Sequence, residues 1–301
     1  MMGQSEPETV SWEKLSHQAA EQLKASPSVD NARWEANLIV QTVCGVETTD
    51  WLEVRGQPAT TRGVSGIDRM VARRHQGEPL QYVLGEWGFR HLNLLVDRRV
   101  LIPRPETEAV VEAALGELQR VGEVVEQLVA VDMGTGSGAI GLSLAVESKA
   151  SEIWLTDISA DSLDVARANL AGIGQPATRV KVAQGSWFEA LPDGLRRSVG
   201  VIVANPPYVA DNDHLPGSVV NWEPSGALFA GPDGTTDLSH LISVAGPWLV
   251  PEGSLVVELS PPQVASIVQQ AESRFAEVEV GKDLAGLDRW VIARRPKRTG
   301  R

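Results

Sequence analysis

The chain has one cysteine, Cys44, among 301 residues. A single thiol excludes a disulfide framework and any zinc site built from several thiolates. It reads as a small buried hydrophobe in a reducing compartment. Uninterrupted apolar runs are short, and none approaches the roughly 18 residues of a membrane helix. The opening stretch Met1–Lys14 has neither a basic n-region nor an apolar h-region, so no secretory signal and a cytoplasmic location are expected. Basic residues are scarce as well: Lys+Arg is 27 against 39 Asp+Glu, a formal net charge of −12. That balance weighs against non-specific nucleic-acid binding, which needs clustered Lys and Arg. The histidines are scattered and none pairs with Cys, Asp or Glu at ligand spacing, so no metal is expected; His214 and His240 read as surface or loop residues. A nucleophile elbow, a Ser-His-Asp order and the phosphate-loop pattern G-x-x-x-x-G-K-[ST] are all missing. Tyrosines number two against nine tryptophans, and Trp12, Trp34, Trp51 and Trp248 read as packing residues.

What is present suffices for a sizeable core, with 43% hydrophobic residues. The length suits one large domain or two smaller ones. Residues 1–83 read as a helical module, with apolar positions at helical spacing in Ser11–Leu23, Asn31–Val46 and Ile67–His75, separated by Ser-Pro-Ser and Gly-rich breaks. Residues 84–103 read as a β-hairpin connector, formed by Trp87–Phe89 and Leu92–Val96, and Val100–Pro105 is held extended by its prolines. Residues 104–301 open on a helix from Glu106, whose acidic first turns read as a solvated face. Short apolar strands then alternate with helices: Leu128–Asp132, Ala139–Glu147, Ile153–Asp157, Ala160–Ala171, Val180–Ala183 and Gly200–Ala204. Beyond them come helix Leu238–Leu249, strand Ser254–Leu259, helix Gln263–Phe275, two final β runs at Glu277–Val280 and Arg289–Ala293, and a frayed basic tail Arg294–Arg301. This alternation predicts an α/β, Rossmann-like domain, a doubly wound and mostly parallel sheet with an antiparallel hairpin at one edge.

Two motifs carry chemistry. Val131–Asp132–Met133–Gly134–Thr135–Gly136–Ser137–Gly138–Ala139–Ile140–Gly141 follows a strand and opens a helix. Glycines there let backbone approach a ligand beside a donor-rich helix N-terminus. Asp157, at the end of the next strand, stands where a ribose-binding acid belongs. Gly136–Gly141 also satisfies G-x-G-x-x-G, so a nicotinamide dehydrogenase stays open on this loop alone. Asp132 leans toward S-adenosylmethionine, whose ammonium group needs an anionic neighbourhood.

The second motif, Asn205–Pro206–Pro207–Tyr208, follows the fourth strand. It suits a planar –NH2 whose lone pair is delocalised. The Asn205 side-chain oxygen and the Pro206 carbonyl can each accept one N–H as positive charge develops on nitrogen during methyl transfer. Tyr208 can stack on the flat group, and the prolines keep the loop rigid.

Together these motifs resemble class I S-adenosylmethionine methyltransferases that modify planar nitrogens. Gly77–Gly85, Phe89 and Val100–Glu108 further resemble the signature of the PrmC/HemK family, which methylates the side-chain amide (N5) of the glutamine in the Gly-Gly-Gln motif of peptide chain release factors. Glu223–Pro224, Ala227–Leu228, Glu258 with Gln263, and Lys282–Asp283 through Asp288–Arg289 also look like family positions. The resemblance implies that Gly134, Thr135, Gly136 and Gly138, with Asp132, surround the methionine part of the cofactor. It implies Asp157 on the ribose, Ser186 and Trp187 beside the adenine, and Asn205, Pro206, Pro207 and Tyr208 around the substrate amide. Arg104, Pro105 and Thr107 would lie near the entrance. S-adenosyl-L-homocysteine would be the product, and a monomer with no nucleic-acid or membrane partner is expected. Ser186 and Ser260 depart from the family pattern, which has an acid and a glycine there. Two rivals stay in view: an adenine-N6 DNA methyltransferase, which poses the same chemical problem, and a non-catalytic protein that keeps the cofactor fold.

Overall fold

The computed structural model describes residues 9–46 and 49–297. Residues 1–8, where no secretory signal was expected, and residues 298–301 of the expected tail lie outside the described residues. The chain divides into two compact units.

The first unit comprises the described residues up to Glu86 with Pro216–Trp222. It holds α1 (Trp12–Leu23), α2 (Ala32–Cys44), α3 (Trp51–Val54), α4 (Thr61–His75) and α5 (Leu80–Leu84), with the single turn α9 (Gly217–Val220). Ser11 caps α1 by accepting from Lys14 N, and Asn31 caps α2 by accepting from Trp34 N, satisfying amide groups that a helix start leaves unpaired. Leu15, Leu23, Ile39, Val40, Ile67 and Val71 form its core. Gly63 and Gly66 lie inside α4 and not in a break: an added Cβ would stand 2.4 Å from the Trp12 ring and 3.1 Å from Val43. They are points of close helix approach. A buried ion pair, Arg74 Nε to Glu35 Oε2 at 2.5 Å, ties α4 to α2. Trp34 is 48% exposed and is not a packing residue, because it lies on the outer side of α2. Cys44 is only half-buried, at the last turn of that helix.

The second unit begins at Trp87. It contains the hairpin β1 (Glu86–Phe89) and β2 (Leu92–Leu95), then α6 (Thr107–Gly122), β3 (Val129–Met133), α7 (Ala139–Glu147), β4 (Glu152–Asp157), α8 (Ala160–Gly172), β5 (Val180–Gln184) and β6 (Val199–Ala204). These are followed by α10 (Thr236–Val244), β7 (Leu249–Glu258), α11 (Val264–Arg274), β8 (Phe275–Lys282) and β9 (Asp288–Pro296). The seven-stranded sheet runs β5-β4-β3-β6-β7-β9-β8. The five strands β5 to β7 are mutually parallel, and β9 pairs antiparallel with both β7 and β8. β3 and β6 are buried at every residue, which their Val, Ala and Ile runs suit in a sheet covered on both faces.

The structure departs from the sequence reading in several places. The helix expected over Leu238–Leu249 ends at Val244, and β7 begins at Leu249, ahead of the expected Ser254. Pro247 lacks an N–H and disfavours helical geometry at Gly246, so Trp248 lies in a turn and Leu249 opens a strand. Arg294–Pro296 is not tail but the end of β9. Arg294 is held there by Glu117 and Glu279, each at 2.7 Å. The acidic start of α6 is not simply solvated: Glu108 Oε1 accepts from Arg90 N at 3.1 Å and Glu112 pairs with Arg90 at 2.9 Å.

Candidate active site

Strand order reverses between β3 and β6, the position at which open α/β sheets bind ligands beyond their carboxyl ends. A cavity of about 640 Å³ lies there, a size that suits a cofactor or small substrate. Its wall draws on Gly134–Ser137 after β3, Asp157–Ser159 after β4, Gly185–Trp187 after β5, and Asn205 with Pro207 after β6. Arg99–Leu101, Pro103, Arg104 and Thr107 close one side, and Pro224–Ala227 with Asp237 another.

The glycine loop is held from below by one carboxylate. Asp132 Oδ2 accepts from Thr135 Oγ1 at 2.6 Å and from Gly141 N at 2.8 Å. Its Oδ1 is buried and has no hydrogen-bond partner. Burial pushes the Asp132 carboxyl up to about 6, against the opposing effect of those two bonds. Thr135 N reaches across to Thr156 O at 2.9 Å. Gly138 has φ +88°, and a Cβ there would stand 2.8 Å from Leu142, so the turn into α7 requires glycine. At Gly141 a Cβ would stand 2.0 Å from Leu155, because α7 starts directly against β4. Asp157 binds the loop too: Oδ2 accepts from Gly136 N and Oδ1 from Ser159 N, both at 2.9 Å. Burial raises its pKa. Trp187 has a left-handed φ of +45°, strain for a bulky side chain, and its Nε1 donates to Asp237 Oδ1 at 3.1 Å.

The second loop is held by side chains from other elements. Asn205 Nδ2 donates to Thr107 Oγ1 at 3.2 Å, which leaves Oδ1 for a ligand N–H. Tyr208 O–H donates to Glu258 Oε1 at 3.2 Å, while its carbonyl accepts from Gln263 Nε2 at 2.8 Å. Burial beside Glu258 pushes the Tyr208 phenol up. Val209 pairs with the Leu228–Ala230 segment through two backbone bonds at 2.9 Å. Glu223, buried, accepts from Arg104 Nη2 at 2.5 Å and Ile102 N at 3.2 Å, fixing the extended segment that enters α6.

Of the residues singled out from sequence, Arg104, Thr107, Gly134, Thr135, Gly136, Asp157, Ser186, Trp187, Asn205 and Pro207 stand together in the cavity wall. Asp132, Gly138, Pro206 and Tyr208 stand behind it, and Pro105 is exposed at the start of α6. Sequence reasoning missed Asp237, in the first turn of α10, and Ser159, the cap of α8. The turn Gly231–Gly234 before α10 and the Asp157–Ser159 spacing were the available signals.

Residues 14–85 match the family described as the PrmC N-terminal domain, and residues 117–220 match the methyltransferase small domain. The release factor glutamine methyltransferase of Neisseria gonorrhoeae is 36% identical over 263 residues, 86% of this chain and 92% of that protein. The protein of the same name from Deinococcus radiodurans is 36% identical over 275 residues, covering 90% and 92%. Among solved structures, the hMettl16 catalytic domain in complex with MAT2A 3'UTR hairpin 1 superimposes with a TM-score of 0.55 at 14% identity, over 85% of this chain and 91% of the other. That likeness shows the class I methyltransferase fold. On identity across nearly its whole length, the chain belongs to the release factor glutamine methyltransferase family.

Proposed function

We propose that this enzyme transfers a methyl group from S-adenosyl-L-methionine to the side-chain amide nitrogen (N5) of the glutamine in the Gly-Gly-Gln motif of peptide chain release factors. The observation that carries this is the identity with release factor glutamine methyltransferases over 86–90% of the chain, together with an Asn205 carbonyl left unused in the cavity wall. The residues present fit the cofactor. Gly134 and Gly136, at φ +70° and +55°, bring backbone to the cavity without side chains, and Asp157, at the end of β4, offers a carboxylate to the ribose hydroxyls. Trp187 and Ser186 form the adenine side, with the Asp237 carboxylate beside them. When bound, the cofactor supplies an electrophilic methyl group on a sulfonium.

The chain's own residues address the acceptor, a weak nucleophile because its lone pair is shared with the carbonyl. Asn205 Oδ1 takes one amide N–H and the Pro206 carbonyl takes the other. Both acceptors gain strength as positive charge develops on nitrogen, so they favour the transition state over the ground state. Tyr208, anchored through Glu258, braces the loop from behind. The extra proton leaves after transfer, so no general base is needed first. The helical unit and the β1–β2 hairpin grip the body of the release factor, and glycines beside the target glutamine let its backbone enter a narrow site. The enzyme acts as a cytoplasmic monomer with no nucleic-acid or membrane partner; no helix of the described residues is long and apolar enough to cross a membrane.

The test offers labelled S-adenosylmethionine with three acceptors: an unmethylated release factor, that factor with its Gly-Gly-Gln glutamine changed to alanine, and duplex DNA. Label enters only the first. Label in DNA, with a steep salt dependence, would replace this reading with adenine methylation. Cofactor binding without transfer to any acceptor would replace it with a protein that keeps only the fold.

A further inference from the structure

Two carboxyl groups stand in the cavity wall among the described residues, Asp157 and Asp237. Both oxygens of Asp157 are spent on backbone N–H groups, those of Gly136 and Ser159. Asp237 is different. Its Oδ1 accepts from Trp187 Nε1 at 3.1 Å, and its Oδ2 has no partner among the described residues. The arginines of the wall do not neutralise it, since Arg99 is paired with Asp97 at 2.6 Å and Arg104 with Glu223 at 2.5 Å.

The unused oxygen is held in place from two sides. Asp237 lies in the first turn of α10. The turn before that helix is pinned twice: Asp233 Oδ1 accepts from Thr235 N at 3.0 Å, and Gly234 O accepts from Gln263 Nε2 at 2.9 Å. Trp187 is fixed separately. Its neighbour Phe188 is buried and stacks on Trp248 with ring centres 5.9 Å apart. The six-membered ring of Trp187 lies against the glycine loop, where a Cβ on Gly134 would stand 3.6 Å from it. The left-handed φ of Trp187 persists because these contacts over-determine it. An aromatic ring and an oriented carboxylate oxygen thus stand side by side in one wall.

That pair can tell flat bases apart. A carboxylate only accepts hydrogen bonds, so it favours a ring that presents an amino group and opposes one that presents a carbonyl. Ser186, in the same wall, cannot make the distinction, because a hydroxyl both donates and accepts. We propose that Asp237 is the specificity residue for the adenine of the cofactor, with Oδ2 accepting from the exocyclic amino group while Trp187 holds Oδ1. This rests on the reading of the cavity as an S-adenosylmethionine site with its adenine beside Trp187.

The experiment is calorimetry on the full chain with three ligands. These are S-adenosylhomocysteine, its deaminated form S-inosylhomocysteine, and methylthioadenosine, which lacks the amino-acid end. Wild type binds the adenosyl compound about tenfold to a hundredfold more tightly than the inosyl compound, the scale of one hydrogen bond to a charged group. In Asp237→Asn, Trp187 Nε1 keeps the amide oxygen, so an N–H donor takes the place of Oδ2. Affinity for the adenosyl compound falls about tenfold or more, and affinity for the inosyl compound rises. Asp237→Ala shows the same fall without the rise. Methylthioadenosine loses the same factor as S-adenosylhomocysteine in both variants, because the contact is to the base. Three results would overturn the proposal: equal wild-type affinity for the adenosyl and inosyl compounds, a preference unchanged by either substitution, or a loss confined to S-adenosylhomocysteine, which would put Asp237 at the amino-acid end. The wild-type comparison needs no variant, and either substitution alone decides the rest. Failure of the wild-type chain to bind S-adenosylhomocysteine would overturn the cofactor reading itself, and is scored first.

Discussion

The two loops that face the cavity leave adjacent strands, β3 and β6, yet they are held in opposite ways. The glycine loop is fastened by its neighbours in sequence: Asp132, Thr135 and Gly141 bond within ten residues of one another, and Asp157 closes it from the next strand. The Asn205–Tyr208 loop is fastened from afar, by Thr107 on α6, Glu258 on β7 and Gln263 beyond it. In the proposed function, the cofactor is served by a local, self-contained turn, and the acceptor group, which must be oriented for attack, by side chains converging from several elements, each adding one constraint.

This contrast can be broken at either loop. Asn205→Ala gives the largest expected effect, a loss of methyl transfer on the order of 2.7–4 kcal/mol, taking one oxyanion-hole donor as the scale. Cofactor affinity by calorimetry stays near wild type, because the glycine loop does not depend on Asn205. Equal loss of both would mean that the two loops are not separable. Gly141→Ala attacks the other loop and reverses the pattern. Its methyl group meets Leu155 and Asp132, so overpacking costs about 1–3 kcal/mol of stability, read in urea, and weakens cofactor binding before it touches the acceptor. Gln263→Ala leaves the Tyr208 and Gly234 carbonyls without the donor that spans them. A loss of about 1–3 kcal/mol is expected, with kcat falling more than cofactor affinity.

A comparable effect concerns pH. Asp132 titrates at about 6 in the folded chain, above an ordinary carboxylate at about 3.9. The folded state therefore holds the proton more tightly than the unfolded state. The stability this contributes is present at low pH and is lost as pH rises from about 4 to about 6. Urea midpoints measured across that range decline in wild type, and Asp132→Asn flattens part of the decline. Parallel curves would show that Asp132 is not a source of it.

The contrast also explains what was legible in the sequence. Strand, glycine turn, helix and acid stand in one continuous stretch, so the β3–α7 loop and the place of Asp157 could be read directly. The alternation of buried strands and helices likewise exposed the parallel sheet. The place of Asn205 in the cavity wall was legible because the strand end and its loop are adjacent in sequence. Its supports were not: Thr107 lies 98 residues from Asn205, and Glu258 lies 50 from Tyr208, so only the folded sheet brings them together. Tyr208 shows the consequence. Its aromatic ring suggested stacking on the substrate; that its hydroxyl also donates to a buried carboxylate on β7 could not be read from the motif. The misplaced end of α10 had a different cause, since Gly246–Pro247 interrupts an apolar spacing that otherwise reads as helical.

The central claim is that the acceptor is one glutamine side-chain amide, and peptide mapping by mass spectrometry tests it most directly. An unmethylated release factor is incubated with the enzyme and S-adenosylmethionine, digested and sequenced. The expected result is a single methyl group on the side-chain nitrogen of the Gly-Gly-Gln glutamine, absent with Asn205→Ala. A methyl group on any other residue, or on a factor whose glutamine has been replaced by alanine, would contradict it.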